Sequence, residues 1–200
     1  MTAKDRKNAV VSQLGGKVER VRVIPWPLFT IDFEASTLGP GSFPIEVGVC
    51  RWTGPDRPIE GWSTLIKPTS RWAKEGLWSA SAQEVHGIRR SELQSGMRPI
   101  DTIRALNAII QQHAAFCDGG ASDLGWARRL VLAAEIANTF KLGDFDMLTG
   151  LCDPEGYARL VRWLDRNPAP HRARPDAERL MGALAEGLGI RHTGFIMIEI

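Results

Sequence analysis

The sequence predicts an α/β protein: a mixed β-sheet, a three-strand meander plus further strands, flanked by helices. Three observations predict it. The first third of the chain holds apolar, strand-like runs separated by turn residues. The remainder alternates helical periodicity with a further short apolar run. The length of 200 residues, 44% hydrophobic and 24% charged, is enough for one sizeable core and one domain.

The elements follow in order. The first strand runs from about Leu28 to Phe33, after Val23-Ile-Pro-Trp-Pro27. Pro44–Trp52 and Glu60–Lys67 read as two more, divided by the turn-prone Thr53-Gly-Pro-Asp-Arg-Pro58. Ser70–Ser79 reads as a loop containing Trp72 and Trp78. Behind Arg98-Pro99, helical spacing puts Ile100, Ile103 and Ile110 on an inward face, with His113 at the end of that helix. Ala114–Cys117 reads as a fourth strand, followed by a helix to about Asn138. Later helices fit Glu155–Asp165 and Arg174–Glu186, separated by Asn167-Pro-Ala-Pro170. Residues 1–24 read as a basic, flexible leader and 25–190 as the single domain. The tail 191–200 reads either as an edge strand or partner contact or as a loosely ordered end.

Composition excludes some classes. No apolar run approaches the ~20 residues that cross a bilayer, and the amino terminus lacks an apolar signal core. A cytoplasmic protein with no membrane partner is expected. Cys50, Cys117 and Cys152 are odd in number without Cys-x-x-Cys spacing, so buried thiols are expected rather than bridges or zinc ligands. The net charge of +2 identifies no partner by itself. Arg159, Arg162, Arg166, Arg172, Arg174 and Arg179 cluster, however, and could serve backbone phosphates or coat helix faces. Trp62 and Trp163 are expected in the core.

The chemistry concentrates in three segments. In Ile31-Asp-Phe-Glu34 at a strand end, positions two apart point the same way, so Asp32 and Glu34 converge while Phe33 packs on the other face. Two close carboxylates titrate upward unless a cation neutralises them. Hard divalent ions prefer such oxygens, which points to Mg2+ or Mn2+. The other segments are Ser122-Asp-Leu-Gly-Trp126, with Asp123 at a helix start, and His171-Arg-Ala-Arg-Pro-Asp176.

In this order the segments resemble the DEDDh (DnaQ-like) group of 3'-to-5' exonucleases, of the RNase H-like superfamily, over roughly residues 28 to 188. Asp32 and Glu34 match the first motif, Asp123 the second, and His171 with Asp176 the third. Val85-His86-Gly87-Ile88 resembles a segment that many members carry near the terminal nucleotide. The resemblance implies a metal-dependent phosphodiester hydrolase acting on 3' ends of single-stranded DNA or RNA and releasing nucleoside 5'-monophosphates. It implies two Mg2+ (or Mn2+) on Asp32, Glu34, Asp123 and Asp176, and His171 as general base. Imidazole suits that role because it changes protonation near neutral pH. Ser36, Trp72, Trp78, His86 and Arg172 are the candidate substrate-binding residues. For Trp72 and Trp78, base stacking competes with an aromatic cluster that pins a loop, and for His86 a substrate hydrogen bond competes with a structural cap. Some relatives form dimers, so a homodimer is among the arrangements the resemblance allows.

The chain departs from the pattern where many relatives have His-Asn before the second-motif acid, at Asp118 and Gly119. Of the two acids there, Asp123 keeps the family spacing, while Asp118 before Gly119-Gly120 is expected to shape a turn. The competing function classes are a catalytically inactive nucleic-acid-binding module on the same fold and a phosphoesterase acting on small nucleotides.

Overall fold

A computed structural model of the protein describes residues 23–199. The leader expected over 1–24 therefore lies, apart from Val23 and Ile24, outside the described residues. Strands β1 (Leu28–Ala35), β2 (Pro44–Trp52), β3 (Ile59–Leu65), β4 (Ala114–Cys117), β5 (Lys141–Asp144) and β6 (Phe195–Met197) form one mixed sheet in the order β5-β4-β1-β2-β3-β6. The first three make an antiparallel meander. β4 and β5 extend it on the β1 side and β6 on the β3 side, all three in parallel. Seven described helices flank the sheet: α1 (Ser70–Glu75), α2 (Ala80–His86), α3 (Pro99–Ile110), α4 (Ala121–Ala134), α5 (Asp146–Thr149), α6 (Pro154–Arg166) and α7 (Ala173–Leu188). The fold is α/β, as the sequence predicts.

Alternation along β1 explains how the sheet is covered. Phe29, Ile31 and Phe33 enter an apolar cluster with Ile103, Leu106 and Ile110 of α3 and Leu130 of α4. On the other face, Leu28 joins Leu180, Met181 and Leu184 of α7, and Thr30 Oγ1 donates to the Ala177 carbonyl at 2.7 Å. Asp32 and Glu34 therefore share the α7 face at the carboxyl end of the strand. A break in register between Glu34 and Ala35 ends regular pairing there.

The amino end of α7 sits directly on the sheet because β2 has no side chain where it lands. Gly48 pairs with Asp32, and a Cβ on Gly48 would lie 2.2 Å from the Arg174 backbone nitrogen. Any larger residue would push the first turn of α7, and Asp176 with it, away from Asp32.

Several boundaries differ from the sequence reading for local reasons. α4 stops at Ala134 because Glu135 takes a left-handed conformation, φ 56°, and Asn138 instead donates to the Phe140 carbonyl at 2.6 Å. The stretch read as a loop over 70–79 contains α1, capped by Thr69, and ends at Ser79, which caps α2. His113 lies in the turn after α3 and stacks on Phe29 with ring centroids 5.5 Å apart. β5, Lys-Leu-Gly-Asp, carries almost no strand signal and forms by pairing with β4 from Ala114↔Lys141 to Cys117↔Asp144. Of the alternatives for the tail, the edge strand holds for Phe195–Met197. Ile103 and Ile110 are buried, whereas Ile100 is half-buried at the rim. Trp62 is buried and Trp163 packs half-buried against the α7 cluster. The three cysteines are buried, and no described helix is long and apolar enough to cross a membrane.

Candidate active site

Three elements bring the acids together: the carboxyl end of β1, the β4–α4 junction and the first turns of α7. Carboxylate oxygens of Asp32, Glu34 and Asp176 lie within 4.8 Å of one another, as do those of Asp32, Asp118 and Asp123. Asp32 belongs to both groups.

The β4–α4 junction is built around Asp123. Its Oδ2 accepts the Gly119 backbone N–H at 3.0 Å, and the side chain is 1% exposed. A Cβ on Gly119 would fall 2.5 Å from that oxygen, so the chain can wrap the carboxylate only with glycine there. This corrects the turn-shaping role expected of Asp118. The turn N–H goes to Asp123, while the half-exposed Asp118 carboxylate faces Arg179 Nη1 at 3.9 Å.

Glu46 locks the start of α7. It is 4% exposed on β2, across from Glu34 in the β1–β2 register. It accepts a bidentate pair from Arg172, Nε at 3.0 Å and Nη2 at 2.7 Å, and the Ala173 N–H at 3.0 Å. The Arg172 N–H in turn donates to Asp176 Oδ2 at 2.9 Å, an N-cap-like contact from inside the helix. His171 precedes this clamp with φ 56°, a conformation that costs a non-glycine residue about 1 kcal/mol or more.

The electrostatics follow from crowding. Burial, then Asp123, Glu34, Asp176 and Asp118, push Asp32 up to about 10. Burial and the neighbouring Asp176 and Glu46 raise Glu34 to about 8, with Arg172 opposing. Burial raises Asp123 to about 6 against the Gly119 N–H, and Asp176 is also raised, chiefly by burial. Such an all-oxygen donor set fits hard divalent cations such as Mg2+ or Mn2+, which would relieve the repulsion.

Beside the acids lies a cleft of about 420 Å³, lined by Glu34, Thr37, Leu38, Val85, His86, Trp126 and His171. His86 is 4% exposed. Its Nδ1 accepts the Ile88 N–H at 3.0 Å, so the neutral ring carries its proton on Nε2, which is buried without a partner among the described residues. Burial also lowers its pKa, which favours that neutral form.

The remaining candidates are placed differently. Ser36 is fully buried, and its Oγ accepts the Phe43 N–H at 3.1 Å, closing the β1–β2 connection. Trp72 and Trp78 do not line the cleft. Both pack on Phe43, and Trp78 meets the His86 ring edge-to-face at 6.1 Å. The Arg172 guanidinium gives Nε and Nη2 to Glu46 while its side chain stays about half exposed. Arg159 and Arg179 bond backbone carbonyls at helix ends, and Arg174 pairs with Glu178. The sequence reading did not single out Glu46 or Trp126. An acid inside the apolar run Pro44–Trp52 was the available signal for Glu46, because buried charges need partners.

No family model and no curated protein matches the chain in sequence. Among solved structures, a 3'-exonuclease in 3'-end-specific recognition of a histone mRNA stem-loop matches with TM-score 0.61 at 13% identity over 82% of this chain. The chain shares the fold of that solved structure. A full-length 3'-exonuclease matches with TM-score 0.61 at 14% identity and cell-death related nuclease 4 (CRN-4) with 0.59 at 14%, each again over 82% of this chain. The matches cover 65%, 62% and 64% of those three chains, so this chain spans somewhat less than two thirds of its neighbours' length. In that fold the acids stand at the carboxyl ends of β1 and β4 and on the first turns of α4 and α7.

Proposed function

We propose that this protein is a metal-dependent 3'-to-5' exonuclease that releases nucleoside 5'-monophosphates from single-stranded DNA or RNA. One observation carries the reading: Asp32 is shared by two carboxylate groups that open beside a cleft lined by Glu34, His86 and His171. The neighbours' fold supports it, one of them being described in 3'-end recognition of an RNA.

Asp32, Glu34 and Asp176 would hold one divalent ion, and Asp32 with Asp123 a second. When bound, such a pair activates water and stabilises the leaving 3' oxygen. The chain's own groups do the rest. His171, exposed on the cleft wall, takes the proton of the attacking water. His86 offers its Nε2–H to the terminal nucleotide, which gives that orphaned donor a partner. The Glu46–Arg172 clamp fixes the spacing of His171 and Asp176. Leu38, Val85 and Trp126 give the terminal base an apolar bed. Trp78 supports His86 from behind.

The test is digestion of 5'-labelled single-stranded DNA and RNA with Mg2+ or Mn2+, comparing the natural chain with Asp32→Ala and His171→Ala. A ladder shortening from the 3' end, lost in both variants and in EDTA, is expected, and the faster polymer identifies the substrate. Absence of cleavage by the natural chain, with binding intact, would replace this reading with a binding module.

A further inference from the structure

The four-acid reading leaves one carboxylate of the cluster without a task. We infer that Asp118 is a fifth protein ligand, completing a second divalent-cation site with Asp32 and Asp123. This rests on the exonuclease reading and deepens it.

The argument begins with ligand number. The group of Asp32, Glu34 and Asp176 supplies three carboxylates to one ion. Without Asp118, the second group would supply two. One of those, Asp123, is almost fully buried and already gives Oδ2 to the Gly119 N–H. Asp118 brings the second group to three, with one carboxylate oxygen inside the same 4.8 Å span.

The next step is what Asp118 is not doing. An aspartate before Gly-Gly ordinarily bonds the turn backbone, but here Asp123 accepts that N–H. Among the described residues the only side chain ion-paired with Asp118 is Arg179, at 3.9 Å, too far for a hydrogen bond. Arg179 is itself tethered, its Nε to the Asn167 carbonyl at 2.6 Å and its Nη2 to the Leu164 carbonyl at 3.4 Å. It offsets the charge of Asp118 without capturing the carboxylate, so a cation can take that carboxylate without breaking a close pair.

The consequence concerns occupancy. Affinity of hard cations for oxygen sites rises with the number of charged ligands. A site with two carboxylates depends on a substrate phosphate to be complete, whereas a site with three can retain its ion before substrate arrives. The full chain therefore binds two divalent ions in the absence of nucleic acid.

Calorimetric titration of the full chain with Mn2+, without nucleic acid, tests this. Two ions are expected on the natural chain. Asp118→Asn and Asp118→Ala should each weaken one of them at least tenfold and leave the other within twofold. Glu34→Gln should weaken the other one, and melting curves in EDTA report whether each variant is folded. Affinities within twofold of the natural chain for both ions in Asp118→Asn would overturn the role of Asp118 while leaving the four-acid reading intact. A natural chain that binds no Mn2+ at millimolar concentration would overturn both.

Discussion

Burial and four neighbouring carboxylates crowd Asp32, and its neutral isostere separates chemistry from stability. Asp32→Asn should abolish nuclease activity yet raise the melting temperature of the EDTA-treated protein. A gain of about 1 kcal/mol, or roughly 2–4 °C for a domain of this length, is expected by calorimetry. His171→Ala should keep the melting temperature while lowering the rate by about 10²–10⁴, the usual contribution of a positioned base. The residues that proved legible in the sequence are those whose meaning is local. Asp32 and Glu34 share a face because they are two apart on a strand, and His171 and Asp176 straddle a helix start. Glu46 was visible as an acid inside an apolar run, but its role was illegible because it is a contact with Arg172, 126 positions away. Ser36 is a substrate-binding candidate in sequence, and only its tertiary partner reveals that its hydroxyl is buried and already engaged by the Phe43 N–H.

At the scale of elements, the docking of α7 on β2 decides whether the acids meet. Gly48→Ala would set a methyl against backbone atoms of Ala173 and Arg174, which cannot rotate away. A cost of about 3 kcal/mol is expected from urea unfolding, with loss of activity in whatever remains folded. Glu46→Gln acts more gently. It weakens the charge-assisted bonds to Arg172 and Ala173, at a cost of about 1–3 kcal/mol. It should lower kcat more than it raises KM, because His171 and Asp176 shift while the rest of the cleft lining stays. An unchanged kcat would show that the clamp does not position the site. The sequence announced β1 to β4 and the long helices through alternation and periodicity. It could not announce β5, whose four residues hold a single large apolar side chain and become a strand only because β4 offers an unpaired edge. Nor could it show that α1 interrupts the apparent loop over 70–79 and that α2 follows it, since each is nucleated by one capping hydroxyl.

For the molecule as a whole, the acid cluster makes stability depend on pH and on metal together. In the metal-free protein Asp32 titrates near 10 and Glu34 near 8, against about 4 for unfolded carboxyls. Between those values the folded state binds more protons than the unfolded state, so stability is fullest below about pH 4 and falls as pH rises through the folded values. Melting temperatures in EDTA should therefore fall from pH 5 to pH 9, apart from the general acid denaturation at lower pH. Added Mg2+ should raise the melting temperature more at pH 8 than at pH 5.5, because at the lower pH the ions must displace protons. An equal shift at both values would mean that the cluster does not bind the metal.

The central claim is that one aspartate bridges two ions at the mouth of the cleft, and anomalous diffraction from crystals soaked in Mn2+ and a nucleoside 5'-monophosphate reads it directly. Two peaks about 3.5–4 Å apart are expected. Asp32 should ligate both, and the nucleotide phosphate should touch both, with the base in the cleft between Leu38, Val85 and Trp126. Peaks away from Asp32, or a nucleotide bound elsewhere on the surface, would contradict the account.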